Sequence, residues 1–329
     1  MNFDLFQGWV PLRIVWRNGQ SSLDWGFVGE NRFTESFFEQ TIARCLRHPA
    51  NLLFRHETGL DMLEGLRRDR PGFAPSGFVF HMSRCGSTLV TQMLAALDST
   101  VVISEARPID QVLRAHFQNP AVDDALKIRW LRGLLNALGQ PRTGRERHFF
   151  VKFDSWHVLQ LPLLVRAFPQ VPWIFLYRDP VEVMVSQARQ PGGQMIPGGI
   201  EMEFLGLNAA EITSLDEMCA RVLARVCEAA VAHHDCGRGR LVHFRELPDA
   251  VTSWLPKFFG MELSGAELAQ MRHVTQFNAK TPALNYEDDS EAKQREATDA
   301  LKKLAQRWIA EPYEKLEQLR AAQASVNGL

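Results

Sequence analysis

One segment constrains this chain more than any other: Phe78-Val79-Phe80-His81-Met82-Ser83-Arg84-Cys85-Gly86-Ser87-Thr88-Leu89. An apolar run of strand length enters a tight polar turn and leaves it as a helix whose apolar positions are Leu89, Met93, Leu94 and Leu97. A helix start offers unpaired N–H groups and the positive end of the helix dipole, which suit an anion such as phosphate. Gly86 lets the backbone approach that anion closely, Ser87 and Thr88 add hydroxyl donors, and Arg84 adds a planar cation. The common ATP-binding loop needs a lysine directly after its second glycine and another glycine five residues earlier. Here Ser87 and His81 stand in those places, and the cation lies upstream at Arg84.

The pattern repeats along the chain. Strands are predicted at Gly77–Met82, Val101–Ile103, Phe149–Phe153, Trp173–Tyr177 and Leu241–Phe244. Helices are predicted at Ser87–Leu97, Ile109–Phe117, Ala121–Leu138, Trp156–Phe168, Val181–Arg189 and Leu215–His233. Strand–helix alternation of this kind predicts an α/β fold: a P-loop-type parallel sheet of about five strands flanked by helices. Residues 1–72 read as a small N-terminal accessory layer. It comprises a hairpin around Asn18-Gly19, a helix from Ser36 with Glu39 completing a capping box, and a short helix over Leu60–Leu66. Pro71-Gly72 marks the boundary with an α/β domain over residues 73–329. The end, Ser264–His273 and Ser290–Leu319, reads as helical with a break at Pro312. The glycine-rich stretch from Pro191 to Gly199 reads as a mobile lid over a site.

With 329 residues, 46% hydrophobic and 23% charged, the chain has a globular composition and needs no disulfide or metal to fold. A formal net charge of −1 gives no bulk attraction to nucleic acid or acidic membranes, so any anion site is local. No apolar run is long enough to span a membrane, and the aromatic start, Met1 to Val10, does not read as a signal peptide. The five scattered cysteines (Cys45, Cys85, Cys219, Cys227, Cys236) read as reduced thiols of a cytoplasmic protein.

A second segment narrows the chemistry. The strand Trp173–Tyr177 leads into Arg178-Asp179-Pro180 and a helix carrying Ser186. Arg178 falls at the carboxyl edge of a strand, where α/β sheets bind ligands, and the helix can bring Ser186 back beside it. Taken together, Arg84-Cys85-Gly86-Ser87-Thr88 and Arg178 with Ser186 resemble the sulfotransferase superfamily, bacterial members included, and the resemblance runs from Phe78 to the Asn278-Ala279-Lys280 region. It implies 3′-phosphoadenosine 5′-phosphosulfate as donor, with Arg84 to Thr88 on the 5′-phosphosulfate and Arg178 with Ser186 on the 3′-phosphate. The acceptor would be a hydroxyl or amine of a small molecule or peptide, and no metal is required. The chain departs from the family in two ways: Leu89 stands where many members have an adenine-stacking tryptophan, and the C-terminal Arg-Lys-Gly loop is absent. Phe244 is then expected near the adenine, and Lys280 in place of the missing basic loop.

Transfer also needs a base for the acceptor proton. The resemblance offers Glu105, just past Val101–Ile103, as some bacterial members do. It also offers Asp154, where Lys152-Phe153-Asp154 stands for a Lys-x-His motif; His157 lies three residues later. Arg84, with the N–H groups of the turn, would stabilise charge at the 5′-phosphate and bridging oxygen, and Lys152 is a further catalytic candidate. Glu105 as a helix cap and Lys152 with Asp154 as a structural ion pair are the plainer readings. Two other functions are open: a P-loop kinase or nucleotide hydrolase using ATP-Mg with Asp179 on the metal, and a catalytically inactive nucleotide-binding or scaffold protein. His233-His234-Asp235-Cys236 lacks a second ligand pair at fixed spacing and reads as a solvated helix end.

Overall fold

The computed structural model describes residues 3–280, 283, 285 and 289–327. Eight strands occur among them: β1 (Trp9–Arg17), β2 (Gln20–Phe27), β3 (His56–Thr58), β4 (Gly77–His81), β5 (Thr100–Ser104), β6 (His148–Lys152), β7 (Trp173–Tyr177) and β8 (Gly239–His243). The last five form one parallel sheet in the order β5-β6-β4-β7-β8. β4, β5 and β7 are buried at every residue, because helices cover both faces of such a sheet. That is the predicted α/β architecture. Its strands are unbroken apolar runs such as Phe78-Val79-Phe80 and Trp173-Ile174-Phe175, with Phe80 stacked on Phe153 at 4.7 Å.

Strand order places the site. The chain leaves β4 through the helix Ser87–Ala95 toward β5, on one side, and leaves β7 through the helix Pro180–Arg189 toward β8, on the other. β4 and β7 are neighbours, so the turns following them part at the carboxyl edge and open a crevice.

The N-terminal residues pack on this core. Asn18 and Gly19 both have positive φ, 51° and 76°, as the two-residue turn between β1 and β2 demands. β1 lies at the edge of its three-stranded sheet, and Gln111 of the helix Arg107–Leu113 closes on it. The Gln111 carbonyl accepts from the Ile14 N–H at 2.7 Å, and its amide donates to the Ile14 carbonyl at 2.8 Å. The helix Met62–Asp69 meets Asp124–Leu138 at Gly133, where a Cβ would lie 2.6 Å from that of Leu63.

Several boundaries differ from expectation for local reasons. The first helix is Phe38–Cys45, capped from Gln40 to the Phe37 N–H; Ser36 instead donates to the Ala279 carbonyl, and Glu39 pairs with Arg107. The stretch from Trp156 splits into a 3₁₀ turn, Ser155–Gln160, and a helix, Leu161–Ala167, that opens on Pro162. The C-terminal region breaks at Ala297 and Ile309, not at Pro312. Pro312 lies in the first turn of Ala310–Asn327, where its missing N–H has no helical partner to lose. The short helix Pro49–Leu53 and β3 were not legible in the sequence. Among the described residues no helix is long and apolar enough to cross a membrane.

Replacing Gln111 by Ala leaves both peptide groups of Ile14 without this partner. Two hydrogen bonds at ordinary net worth predict a loss of about 1–3 kcal/mol in urea denaturation, with faster amide exchange at Ile14 as the local readout.

Candidate active site

The turn after β4 is held in an unusual backbone shape. Ser83 and Arg84 have φ of 81° and 51°, and Gly86 has 85°. Left-handed conformations at non-glycine residues cost about 1–3 kcal/mol each and persist only where the surroundings enforce them. Here the Ser83 N–H donates to His81 Nδ1 at 3.0 Å, the Gln187 amide donates to Ser83 Oγ at 2.9 Å, and the Cys85 thiol donates to the Leu176 carbonyl at 3.1 Å. The Cys85 side chain is therefore packed away, its pKa pushed up to about 11 by burial, and only its backbone faces the crevice. Gly86 is required twice, for its φ and because a Cβ would lie 2.8 Å from Leu247 and 3.0 Å from Phe244. No side chain caps the helix Ser87–Ala95, so its first N–H groups remain for an anion, beside the hydroxyls of Ser87 and Thr88.

Three titratable groups meet under this turn. Lys152, at the end of β6, is 1% exposed. Its Nζ lies 2.7 Å from Glu105 Oε1 and donates to Thr88 Oγ1 at 3.2 Å, with the Phe37 ring 4.8 Å away. Glu105 sits past β5 with φ of 54°, and its N–H donates to the Lys152 carbonyl at 2.8 Å. His81 accepts at Nδ1, so its proton is on Nε2, 3.3 Å from Glu105 Oε1. Burial pushes Glu105 up in pKa, but Lys152 and His81 outweigh it and hold the carboxylate well below its usual range. Asp154 has the opposite fate: burial, then the charges of Glu105 and Asp110, raise it well above 3.8. Two carboxyls with pKa values pushed apart are a common mark of acid–base chemistry.

The far end of the crevice is built on Arg178, 4% exposed. Its Nε bonds Glu182, its Nη2 donates to Asp289 Oδ1 at 2.9 Å and Ser290 Oγ at 3.0 Å, and its guanidinium lies 4.0 Å from the centre of the Phe244 ring. Lys293 reaches Asp289 Oδ2 at 2.8 Å. Phe244 touches both the Gly86 turn and Arg178, so it joins the two ends. Ser186 faces the same crevice. Asp179, the candidate metal ligand of a kinase reading, instead caps its own helix, accepting from the N–H groups of Val181 and Glu182.

The crevice, about 560 Å³, thus gathers every residue singled out from the sequence for donor binding or catalysis: Arg84 to Thr88, Glu105, Lys152, Asp154, Arg178, Ser186, Phe244 and Lys280. Lys280 lines the same crevice, where burial, then the charges of Arg84 and Lys152, lower its pKa to about 8, and Lys293 stands beside Arg178 through Asp289. The glycine-rich stretch borders the crevice as a tied wall: Gly192 donates to Gln187 Oε1 at 2.8 Å, Gln194 to Ser155 Oγ at 3.1 Å, and Arg84 to the Gln190 carbonyl. His157 turns away, donating to Asp110 at 2.9 Å while its Nδ1 accepts from the Asp154 N–H at 3.2 Å. Asp110, Asp154 and His157 bring ligand-type atoms within 4.8 Å of one another, but Asp110 already accepts from Arg114, Trp156 and His157. Asp289, Lys293, Gln187 and Phe37 were missed. Asp289, Lys293 and Phe37 come from segments far from the two motifs, and Gln187, beside Ser186 on the helix after Arg178, passes for an ordinary polar helix residue.

A model of the Sulfotransferase family matches residues 75–247. No curated protein matches the sequence closely enough to count as a relative. Among solved structures, the sulfotransferase domain from the curacin biosynthetic pathway aligns at a TM-score of 0.42 and 16% identity, over 72% of this chain and 98% of its own. A sulfotransferase from Alicyclobacillus acidocaldarius aligns at 0.42 and 11% identity, over 76% and 96%. Sulfotransferase STF9 from Mycobacterium avium aligns at 0.41 and 14%, over 71% and 79%.

The two shifted carboxyls predict opposite pH dependences. Folded Asp154 keeps a proton above 3.8 that the unfolded chain has released, so this group's contribution to stability falls as pH rises toward its folded pKa. Glu105 contributes above 4.5 and loses its contribution as pH falls. In urea denaturation across pH, the stability of wild type relative to Asp154→Asn should decline from about pH 4 upward, whereas relative to Glu105→Gln it should decline on acidification. A flat difference for Asp154→Asn would rule out a buried, protonated carboxyl.

Proposed function

Because the chain belongs to the sulfotransferase family, we propose that it transfers a sulfuryl group from 3′-phosphoadenosine 5′-phosphosulfate to a hydroxyl or amine of a small-molecule or peptide acceptor. The observation that carries the donor assignment is the division of the crevice cations into two groups. Arg84, Lys152 and Lys280 surround the uncapped helix start, Arg178 and Lys293 stand at the other end, and Phe244 lies against both. A nucleotide with phosphate at both the 5′ and 3′ positions needs two anion sites and an apolar surface for its base. The free thiols of all five cysteines suit a cytoplasmic enzyme.

In this reading the acceptor oxygen or nitrogen attacks sulfur in line with the bond to the 5′-phosphate. That S–O bond breaks, and its electron pair leaves on the phosphate of adenosine 3′,5′-bisphosphate. Charge grows on the bridging oxygen, and Arg84, Lys152 and the N–H groups of the turn stabilise it. The acceptor proton goes to Glu105. With the Lys152 ammonium 2.7 Å from its carboxylate, Glu105 is a weak base. A donor phosphate beside Thr88 draws Lys152 toward itself, and Glu105 then gains proton affinity as the acceptor's proton must leave. Asp154 lines the same pocket, its pKa raised by burial and by the charges of Glu105 and Asp110. Phe37, Trp156 and the wall from Gly192 to Gln194 line the remaining crevice and shape the acceptor site.

Arg84→Ala should abolish transfer in a radiolabelled-donor assay; full activity would refute the turn's role. Glu105→Gln should keep nucleotide affinity and lose about a hundredfold or more in turnover, the usual scale for a general base, with a smaller loss for Asp154→Asn. A collapsed rate in Asp154→Asn alone would exchange their roles. In titration calorimetry without Mg²⁺, wild type should prefer adenosine 3′,5′-bisphosphate to adenosine 5′-monophosphate, and Arg178→Ala should erase the preference. Equal affinity of wild type for both nucleotides would overturn the donor assignment.

A further inference from the structure

The anion site at the far end of the crevice already holds an anion supplied by the chain. One oxygen of Asp289 accepts from Arg178 at 2.9 Å and the other lies 2.8 Å from Lys293 Nζ. Both cations are nearly buried, at 4% exposure each, whereas the Asp289 side chain remains 44% exposed. Glu182 completes the group: it holds the Arg178 Nε and accepts from Gln294 at 3.3 Å. Two cations and two carboxylates therefore balance within the chain itself. The opposing oxygens of Asp289 meet an arginine and a lysine much as two oxygens of a phosphate would.

We propose that Asp289 is a built-in competitor for the 3′-phosphate, its carboxylate occupying the cradle formed by Arg178, Ser290 and Lys293, so that the donor binds only by displacing it. The inference rests on the donor assignment above and adds to it the residue that sets nucleotide affinity and the lysine that supplies the second cation. A phosphate dianion cannot share the cradle with Asp289. Glu182 and Asp289 alone already neutralise Arg178 and Lys293, and a third acidic group would face like charge at contact distance. Glu182 is buried beneath Arg178 and stays. Asp289 is the half-exposed member and has water to move into, and the 3′-phosphate replaces it with stronger charge on the same donors. The competition acts on 3′-phosphorylated nucleotides only, because the cations at the 5′ end pair with other groups: Lys152 with Glu105, and Arg84 with the Gln190 carbonyl.

The test is titration calorimetry of adenosine 3′,5′-bisphosphate and adenosine 5′-monophosphate on wild type, Asp289→Asn, Asp289→Ala and Lys293→Ala, each checked for folding by its melting transition. Removing the carboxylate should tighten the bisphosphate by about tenfold or more and leave the monophosphate unchanged; Lys293→Ala should weaken only the bisphosphate. A wild type that prefers the bisphosphate, with Asp289→Asn and Asp289→Ala binding it no more tightly, overturns the competitor and leaves the donor assignment standing. A wild type without that preference overturns the donor assignment and the competitor with it.

Discussion

The ion pair between Lys152 and Glu105 is the interaction on which the rest of the site depends. A lysine 1% exposed costs several kcal/mol to bury unless a partner and further hydrogen bonds compensate it. Glu105 supplies the partner through its side chain and also bonds the Lys152 carbonyl through its own N–H, continuing the parallel ladder by one rung, and its left-handed φ then turns the chain away from the sheet. Thr88 supplies the second oxygen, fastening the helix that follows the turn after β4 to the end of β6. Beside the pair, burial and then the charges of Glu105 and Asp110 raise the Asp154 pKa, with Lys152 opposing them. One buried contact thus links the ends of two strands, the mouth of a helix and the protonation of a neighbouring carboxyl.

A chain with 37 basic and 38 acidic residues projects little net field. Local positive charge comes instead from where the cations are placed. Arg84, Lys152, Arg178, Lys280 and Lys293 converge on one cleft, with low-dielectric walls provided by residues such as Phe37, Phe244 and Leu89. Low-dielectric walls concentrate the field of such groups, so a nearly neutral protein can still present a strongly attractive cleft. The lowered pKa of Lys280, to about 8, reflects burial together with crowding by Arg84 and Lys152.

How much of this was legible depended on distance along the chain. The central sheet was readable because its strands are continuous apolar runs separated by amphipathic helices, and β7 ends where the pattern places it. The turn after β4 and Arg178 were readable because they lie within a few residues of those strands. Lys152, Glu105 and Asp154 followed from the same rule, since each stands at a strand's carboxyl end; their pairing did not, because it arises between strands. Asp289 and Lys293 were not readable at all. They lie more than a hundred residues beyond Arg178 in a charge-rich helix that resembles any solvated surface, and only tertiary packing turns Lys293 inward. Gln187 likewise passes for an ordinary polar helix residue until the fold sets it between Ser83 and Gly192.

Gln111 has a consequence outside the site. β1 is nine residues long and lies at the edge of its sheet, the kind of strand whose open N–H and C=O groups can template pairing with another molecule. At Ile14 both groups are taken by the Gln111 amide, which acts as one residue of a neighbouring strand and then stops. Pro11 has no N–H to offer, and the register slips between Pro11 and Arg13. The row is therefore interrupted at two points, too closely spaced for a foreign strand to add along its length. The bond that docks the hairpin also guards the protein against self-association into sheets when it is concentrated.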